Sequence, residues 1–181
     1  MILLKWKEHL IEPKQNKKIQ NKSTVLFSIG SNLGNRIENI LKAIKLLSIE
    51  CSTDKNNISS YYETEPFGNS NQDWFINIAL LAETELSPTN LLFFCKTIEF
   101  ILGRKSAPIW SERIIDIDIL LFDDLILDTP FLQIPHKHML DRKFVLMPCA
   151  EIAGCIIHPI ANKKISDLNL HCEDKCVVRK I

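Results

Sequence analysis

Apolar residues along the chain alternate between short strand-like runs and longer helical stripes. Residues 24–29 are β-branched and apolar and stop at Gly30-Ser31-Asn32, which predicts a strand ending in a tight turn. Ile37, Ile40, Leu41, Ile44 and Leu47 then recur at helical spacing, so a helix is expected over residues 36–47 with Asn35 as its N-cap. Residues 58–64 read as a strand rich in Ser and Tyr, and residues 66–71 as a loop. Residues 74–83 form a long strand with Phe75, Asn77, Ala79 and Leu81 on one face and Ile76, Ile78 and Leu80 on the other. Ser87-Pro88 opens the clearest helix: serine caps, and proline is tolerated where its missing N–H has no intrahelical partner. Leu91, Cys95, Ile98 and Leu102 make its stripe and Gly103 its stop. A polar loop over 104–112 leads to a strand over 114–122, a turn at Asp123-Asp124 and a return over 125–127. A last helix is expected over 142–152, with Pro148 inside it or kinking it. This order, with its hairpins, predicts α+β with an antiparallel sheet rather than a doubly wound parallel one.

Composition narrows the class. The chain has 181 residues, 46% of them hydrophobic and 24% charged, which suits one domain with a real core. Lys plus Arg equals Asp plus Glu at 22 each, so nothing marks a dedicated nucleic-acid binder. No apolar run approaches the ~18 residues of a membrane span, and Lys5, Lys7, Glu8 and His9 interrupt the apolar start before a signal-peptide core forms. Residues 1–23 hold six lysines against two glutamates, a +4 segment read as a polar extension, a linker, or a short docking helix over residues 2–11; the domain proper is expected over 24–181. Six cysteines occur without a C-x-x-C pair, which points to reduced thiols, several buried as small hydrophobes, and to a cytoplasmic setting.

The segment from Arg113 to Phe122 carries most of the chemistry. On a strand, residues two apart share a face, so Asp116 and Asp118 project together, roughly 6.5–7 Å apart along the chain. Two carboxylates so placed repel unless neutralised, and favour a shared divalent cation; magnesium takes carboxylates together with water and substrate phosphates. A solvated polar face is the bland alternative, but Leu120 and Phe122 are expected to continue the aspartate face, with Ile115, Ile117, Ile119 and Leu121 packing behind. Arg104 and Arg113, with Trp110 between them, suit phosphate oxygens, although Arg113 alone suits an ion pair with Asp116 equally well. The Gly30–Gly34 segment is no phosphate loop, since it lacks G-x-x-x-x-G-K-[ST]. Pro135-His136, Met139, Arg142 and Phe144 add an imidazole, a cation and an aromatic before the last helix.

Taken as an ordered set, these residues resemble the 6-hydroxymethyl-7,8-dihydropterin pyrophosphokinase family of folate biosynthesis. The pieces are Gly30-Ser31-Asn32-Leu33-Gly34, Tyr62-Glu63-Thr64-Glu65-Pro66-Phe67-Gly68, Phe75-Ile76-Asn77, Glu99 with Gly103-Arg104, Trp110, the Arg113–Phe122 run, and Pro135-His136 through Phe144, spanning about 24–167. The resemblance implies a ferredoxin-like fold, ATP as pyrophosphate donor and two magnesium ions. It implies that Asp116 and Asp118 hold the metal and that Arg104 and Arg113 steady the transferring group. Thr64, Phe67, Phe75, Asn77 and Phe144 would line the pterin pocket, and Glu99, Trp110, Ile119, His136 and Arg142 would contact ATP. As partners it implies these two small molecules; charge balance and hydropathy set aside nucleic acid and membrane, and a neighbouring folate-pathway enzyme is one reading of the N-terminal segment.

The chain departs from the family pattern at Ile109-Trp110-Ser111-Glu112-Arg113, where R-W-G-P-R is usual, at Ser106 and Phe131, where basic residues are usual, and at Lys137. Each lost exposed cation is worth ~0.5–1 kcal/mol of phosphate binding. A catalytically weakened relative that only binds pterin or nucleotide is therefore the alternative reading. A ferredoxin-like RNA-binding module is a third, and would need sheet aromatics on a basic surface.

Overall fold

The computed structural model describes residues 22–66, 72–104 and 112–181. Eight strands appear among them: β1 (Ser23–Ser31), β2 (Cys51–Ser52), β3 (Tyr62–Thr64), β4 (Phe75–Thr84), β5 (Asp116–Phe122), β6 (Leu127–Asp128), β7 (Gln133–Ile134) and β8 (Val178–Lys180). The α-helices are α1 (Arg36–Leu47), α2 (Pro88–Ile101), α3 (Lys143–Ala153) and α4 (Ile165–Leu170). The main sheet runs β5-β1-β4-β3-β8, antiparallel at every junction, with β2 on the end of β4 and β6–β7 as a separate ribbon. With α1 following β1 and α2 following β4, the order β5-β1-β4-β3 is the ferredoxin-like arrangement expected from the sequence.

Each face of the sheet buries a core of its own. On one side Phe27, Ile29, Ile78, Leu80 and Ile117 meet Ile40, Ala43 and Leu47 of α1 and Leu91, Phe94, Cys95 and Ile98 of α2. On the other side Leu26, Ala79, Leu120 and Leu121 meet Val145, Leu146 and Cys149 of α3. Asn35 caps α1 by accepting from the Glu38 N–H at 3.2 Å, and Ser87 caps α2 by accepting from Asn90. Gly103 adopts φ +96 just past α2, a conformation glycine takes without strain. Pro148 lies inside α3, and all six cysteines are free, with Cys51, Cys95 and Cys149 buried.

Several expectations need correction. The α1 stripe is turned: Ile37 and Leu41 are 39% and 52% exposed, while Asn39 faces inward. Asn39 Nδ2 donates to the Leu33 carbonyl at 2.8 Å and to Ser31 Oγ at 3.3 Å, and these bonds set the helix rotation. The strand expected over 58–64 is regular only at Tyr62–Thr64, because Ser59 Oγ takes the Ala79 N–H and Ile58 keeps a single bridge to Leu80. β5 starts at Asp116, not at 114. Its register on β1 slips between Leu26 and Phe27, which pair with Leu121 and Ile119 and leave Leu120 extra. This bulge exchanges the faces of the last two residues: Leu121 joins the α3 side and Phe122 the α1/α2 side, opposite to simple alternation. The return over 125–127 does not pair with β5, since Leu127 pairs with Ile134. α3 is not the last helix, as α4 and β8 follow it.

Candidate active site

One end of the sheet's α3 face is left open, and small residues floor it. Ser28 lies between Asp118 and Ala79, and Gly30 between Asp116 and Asn77, in the register of β5, β1 and β4. A Cβ on Gly30 would sit 2.4 Å from Asn77 Oδ1, so the amide reaches inward only because residue 30 has no side chain. Asn77 Nδ2 donates to Thr64 Oγ1 at 2.6 Å, which fixes the amide and leaves its oxygen without that partner. Around this floor lies a cavity of about 120 Å³ lined by Thr64, Glu65, Phe75, Asn77, Arg113, Asp116, Asp118, Arg142 and Phe144. A second cavity, about 710 Å³, lies on the other side of β5 and is lined by Lys96, Asp118, Ile119, Phe131, His136 and Lys137 among others. Among the described residues, Asp118 is the one common to both linings.

The electrostatics separate the two aspartates. Arg104 Nη1 donates to Asp116 Oδ1 at 2.5 Å, and Arg113 Nη1 bonds Oδ2. Burial alone would raise the Asp116 carboxyl, but the two guanidiniums outweigh it and hold it below the ordinary range. Asp118 has no such partner among the described residues; burial, then the charge of Asp116, pushes it up to about 6. Glu99, 2% exposed, sits behind the pair. Its Oε1 accepts from the Ile117 N–H at 2.9 Å, from Lys96 Nζ at 2.9 Å and from Arg104 at 2.7 Å, anchoring both cations and the strand that carries the aspartates.

The Gly30–Gly34 segment is a brace as well as a turn. Ser31 Oγ donates to the Ile114 carbonyl at 2.7 Å, and Asn32 Oδ1 accepts from the Arg113 N–H at 2.7 Å, which pins the start of β5. His136 Nδ1 accepts from the His138 N–H at 3.3 Å, which leaves Nε2 to carry the proton. Burial first, then Arg142 and His138, push its pKa down to about 4, so the imidazole is neutral near pH 7. Arg142 is the N-cap residue of α3 and its guanidinium carbon lies 5.6 Å from the Phe144 ring centroid.

The structure brings twelve of the expected site residues together: Thr64, Phe75, Asn77, Arg113, Asp116, Asp118, Arg142 and Phe144 around the first cavity, Ile119 and His136 in the second, and Glu99 with Arg104 behind them. Arg142 borders the smaller cavity, while Glu99 lines neither. Phe67 and Trp110 lie outside the described residues, as do Ser106 and Ile109. Sequence reasoning missed Lys96, whose place beside Glu99 at the helix spacing i, i+3 was the available signal, and Ser28 and Gly30, whose signal was small size opposite the aspartates. Phe131, 88% exposed, borders the larger cavity as an aromatic rather than the usual cation. No group of three or more His, Cys, Asp or Glu side chains placed to hold a metal occurs among the described residues, so any cation here would draw its remaining ligands from water and substrate.

Residues 26–154 match the family model described as 7,8-dihydro-6-hydroxymethylpterin-pyrophosphokinase (HPPK). The chain is 41% identical over 145 residues to the 2-amino-4-hydroxy-6-hydroxymethyldihydropteridine pyrophosphokinase of Aquifex aeolicus, covering 80% of this chain and 89% of that one. It is 42% identical over 135 residues to the folic acid synthesis protein FOL1 of Dictyostelium discoideum, covering 75% of this chain but only 20% of that protein. A crystal structure of a Plasmodium falciparum HPPK-DHPS triple mutant superposes with a TM-score of 0.67 at 18% identity over 85% of this chain and 45% of that chain, a likeness of fold. The family match spans most of the open sheet face and both cavities, and the chain belongs to the 7,8-dihydro-6-hydroxymethylpterin-pyrophosphokinase family.

Proposed function

We propose that the chain transfers pyrophosphate from ATP to the hydroxymethyl oxygen of 6-hydroxymethyl-7,8-dihydropterin and releases AMP, a step of folate biosynthesis. The observation that carries this reading is that Asp118 borders two cavities of unequal size, one fit for a small bicycle and one for a nucleotide. In the smaller, Phe75 and Phe144 supply aromatic faces and Asn77, with the Thr64 backbone, the hydrogen bonds for the ring's polar edge. Phe67 is assigned to the same pocket on family resemblance. In the larger, Lys96, Ile119, a neutral His136 and Lys137 receive ATP, with Trp110 assigned there by resemblance and Glu99 acting through Lys96 and Arg104. Arg142 stands at the pterin side of the junction, where its charge reaches both substrates.

The donor set fits magnesium. Asp118 has no paired cation among the described residues, only the weaker pull of Lys96 and Arg142, and Asp116 stands beside it, so the pair would hold magnesium, two ions in this reading. Bound there, magnesium supplies charge neutralisation for the ATP phosphates. The chain's own residues do the rest: Arg104 and Arg113 steady the transferring group, and the pterin pocket aligns the hydroxymethyl oxygen with the β-phosphorus. The oxygen–phosphorus bond forms as the bond to AMP breaks and the hydroxyl proton passes to solvent, so positioning and charge matter more than a covalent nucleophile. Residues 1–23, of which Ser23 already opens β1, are assigned to an extension that reaches a neighbouring folate-pathway enzyme, a reading supported by relatives in which the matched segment is one part of a longer chain. No helix among the described residues is long and apolar enough to cross a membrane, and we place the activity in the cytoplasm.

AMP release from ATP with and without the pterin, at saturating magnesium and again in excess chelator, tests this. Pterin-dependent AMP that vanishes with the chelator is expected. Pterin binding without AMP would refute the activity and leave a binding module.

A further inference from the structure

The family match ends at residue 154, yet residues well past it close on the walls of the smaller cavity. α3 begins at Lys143, and its N-cap residue is Arg142, whose side chain has no acceptor and makes no capping bond. The vacancy is filled from far along the chain: the Lys143 N–H donates to Asp174 Oδ2 at 2.9 Å. The other oxygen of that carboxylate accepts from the Cys176 N–H at 2.9 Å, folding the segment back on itself. One residue on, the Val177 N–H donates to Glu65 Oε1 at 2.9 Å, and the Val177 carbonyl accepts from the Glu65 N–H at 3.3 Å. Val178 then pairs with Thr64 in β8. Residues 174–177 therefore grip both walls of the cavity, the end of β3 on one side and the first turn of α3 on the other.

We propose that Asp174 is a positioning residue for the acceptor substrate, holding Arg142 and Phe144 in register with Thr64 and Asn77 across the cavity. This rests on reading that cavity as the pterin pocket. The first turn of a helix has N–H groups without intrahelical partners, and it loosens when they lack acceptors. A carboxylate there also matches the positive end of the helix dipole. Phe144 lies in that turn and Arg142 borders it, whereas Asp116 and Asp118 stand on β5, bound by Arg104, Glu99 and the Asn32 brace. Loss of Asp174 thus loosens one wall of the binding pocket and leaves the reacting end in place.

The test compares the full chain with Asp174→Ala and Asp174→Asn. In Asp174→Ala the KM for 6-hydroxymethyl-7,8-dihydropterin rises about tenfold, as for loss of a hydrogen bond to a charged acceptor, while kcat stays within about threefold and the KM for ATP, which Arg142 reaches from the pterin side, rises clearly less than that for the pterin. Asp174→Asn keeps an oxygen for the Lys143 N–H and restores the pterin KM to within about threefold of the parent. Unchanged pterin KM in the alanine variant, equal losses for both substrates, or an asparagine variant as impaired as alanine would overturn the assignment; a merely structural role gives the last two. Should the parent release no AMP, the catalytic reading fails and KM cannot be read, and amide exchange at Lys143 and Phe144 decides the rest. Exchange about tenfold faster in Asp174→Ala upholds Asp174 as the holder of this wall, and unchanged exchange refutes it.

Discussion

Asp118→Asn is expected to stabilise the metal-free protein while removing its activity. In the folded chain burial, and then the charge of Asp116, push the Asp118 carboxyl from 3.8 up to about 6, against the smaller pull of Lys96 and Arg142. The sign follows from proton uptake. Between about pH 4 and pH 6 the folded state holds a proton that the unfolded state has already lost, so stability falls as pH rises through that window. Above it both states are ionised and the full cost of the buried charge is present; at 1.36 kcal/mol per tenfold in proton affinity it amounts to ~3 kcal/mol, or ~1–3 kcal/mol once solvent at the cavity mouth is allowed for. Asparagine has nearly the same shape and no charge. Urea unfolding in chelator at about pH 8 should show a midpoint raised by about 0.5–1.5 M, and below about pH 4 the two curves should coincide. Equal midpoints at the higher pH, or a gain that persists in acid, would refute the claim that this charge is held at a cost. Pyrophosphoryl transfer in the same variant should fall by about a thousandfold or more.

Three further outcomes test neighbouring parts of the structure. Gly30→Ala drives a methyl group into Asn77 Oδ1, so pterin affinity should fall about 10- to 100-fold with ATP affinity unchanged, as read by calorimetry with each ligand. Glu99→Ala removes the acceptor of Ile117 and the anchor of Arg104 and Lys96; since Lys96 is half exposed and Arg104 keeps Asp116, the cost in urea unfolding should be ~1–3 kcal/mol, set by the buried Ile117 N–H left without a partner. Phe94→Ala empties a fully buried site between α2 and the sheet, and should lower stability by ~3–5 kcal/mol without changing the ratio of the two substrate KM values.

Much of this was legible from residue order, for physical reasons that also explain what was not. α2 was readable because its cap, its proline and its stop glycine agree with its apolar stripe, and β4 because a long run that is apolar on both faces suits a central strand buried on both sides. The aspartate pair was readable because strand geometry puts alternate residues on one face wherever the strand is regular. Regularity fails at Leu120, where an extra residue inverts Leu121 and Phe122; nothing local distinguishes that bulge from continued alternation. The rotation of α1 was hidden because a polar residue, Asn39, takes a buried place through bonds to residues before the helix. β8 was missed because three residues, Val178 to Lys180, carry no periodicity and form a strand only where β3 offers an open edge. The site's cations were visible as types, but Lys96 was not, since a lysine on a helix is ordinarily solvent-facing and only the fold turns this one toward the cavity.

The outer edge of β5 has a second consequence. An edge strand leaves N–H and C=O groups that another chain's strand can copy. Here Glu99 takes the Ile117 N–H and the His136 N–H takes the Leu120 carbonyl, so two residues on the side of β5 that faces the larger cavity also occupy that template. At the opposite edge the sheet ends in β8, three residues long with Arg179 and Lys180. Neither end invites a second copy to extend the sheet. Mutations at Glu99 would therefore act twice, once on the site and once on the edge of the sheet, where the Ile117 N–H would lose its partner.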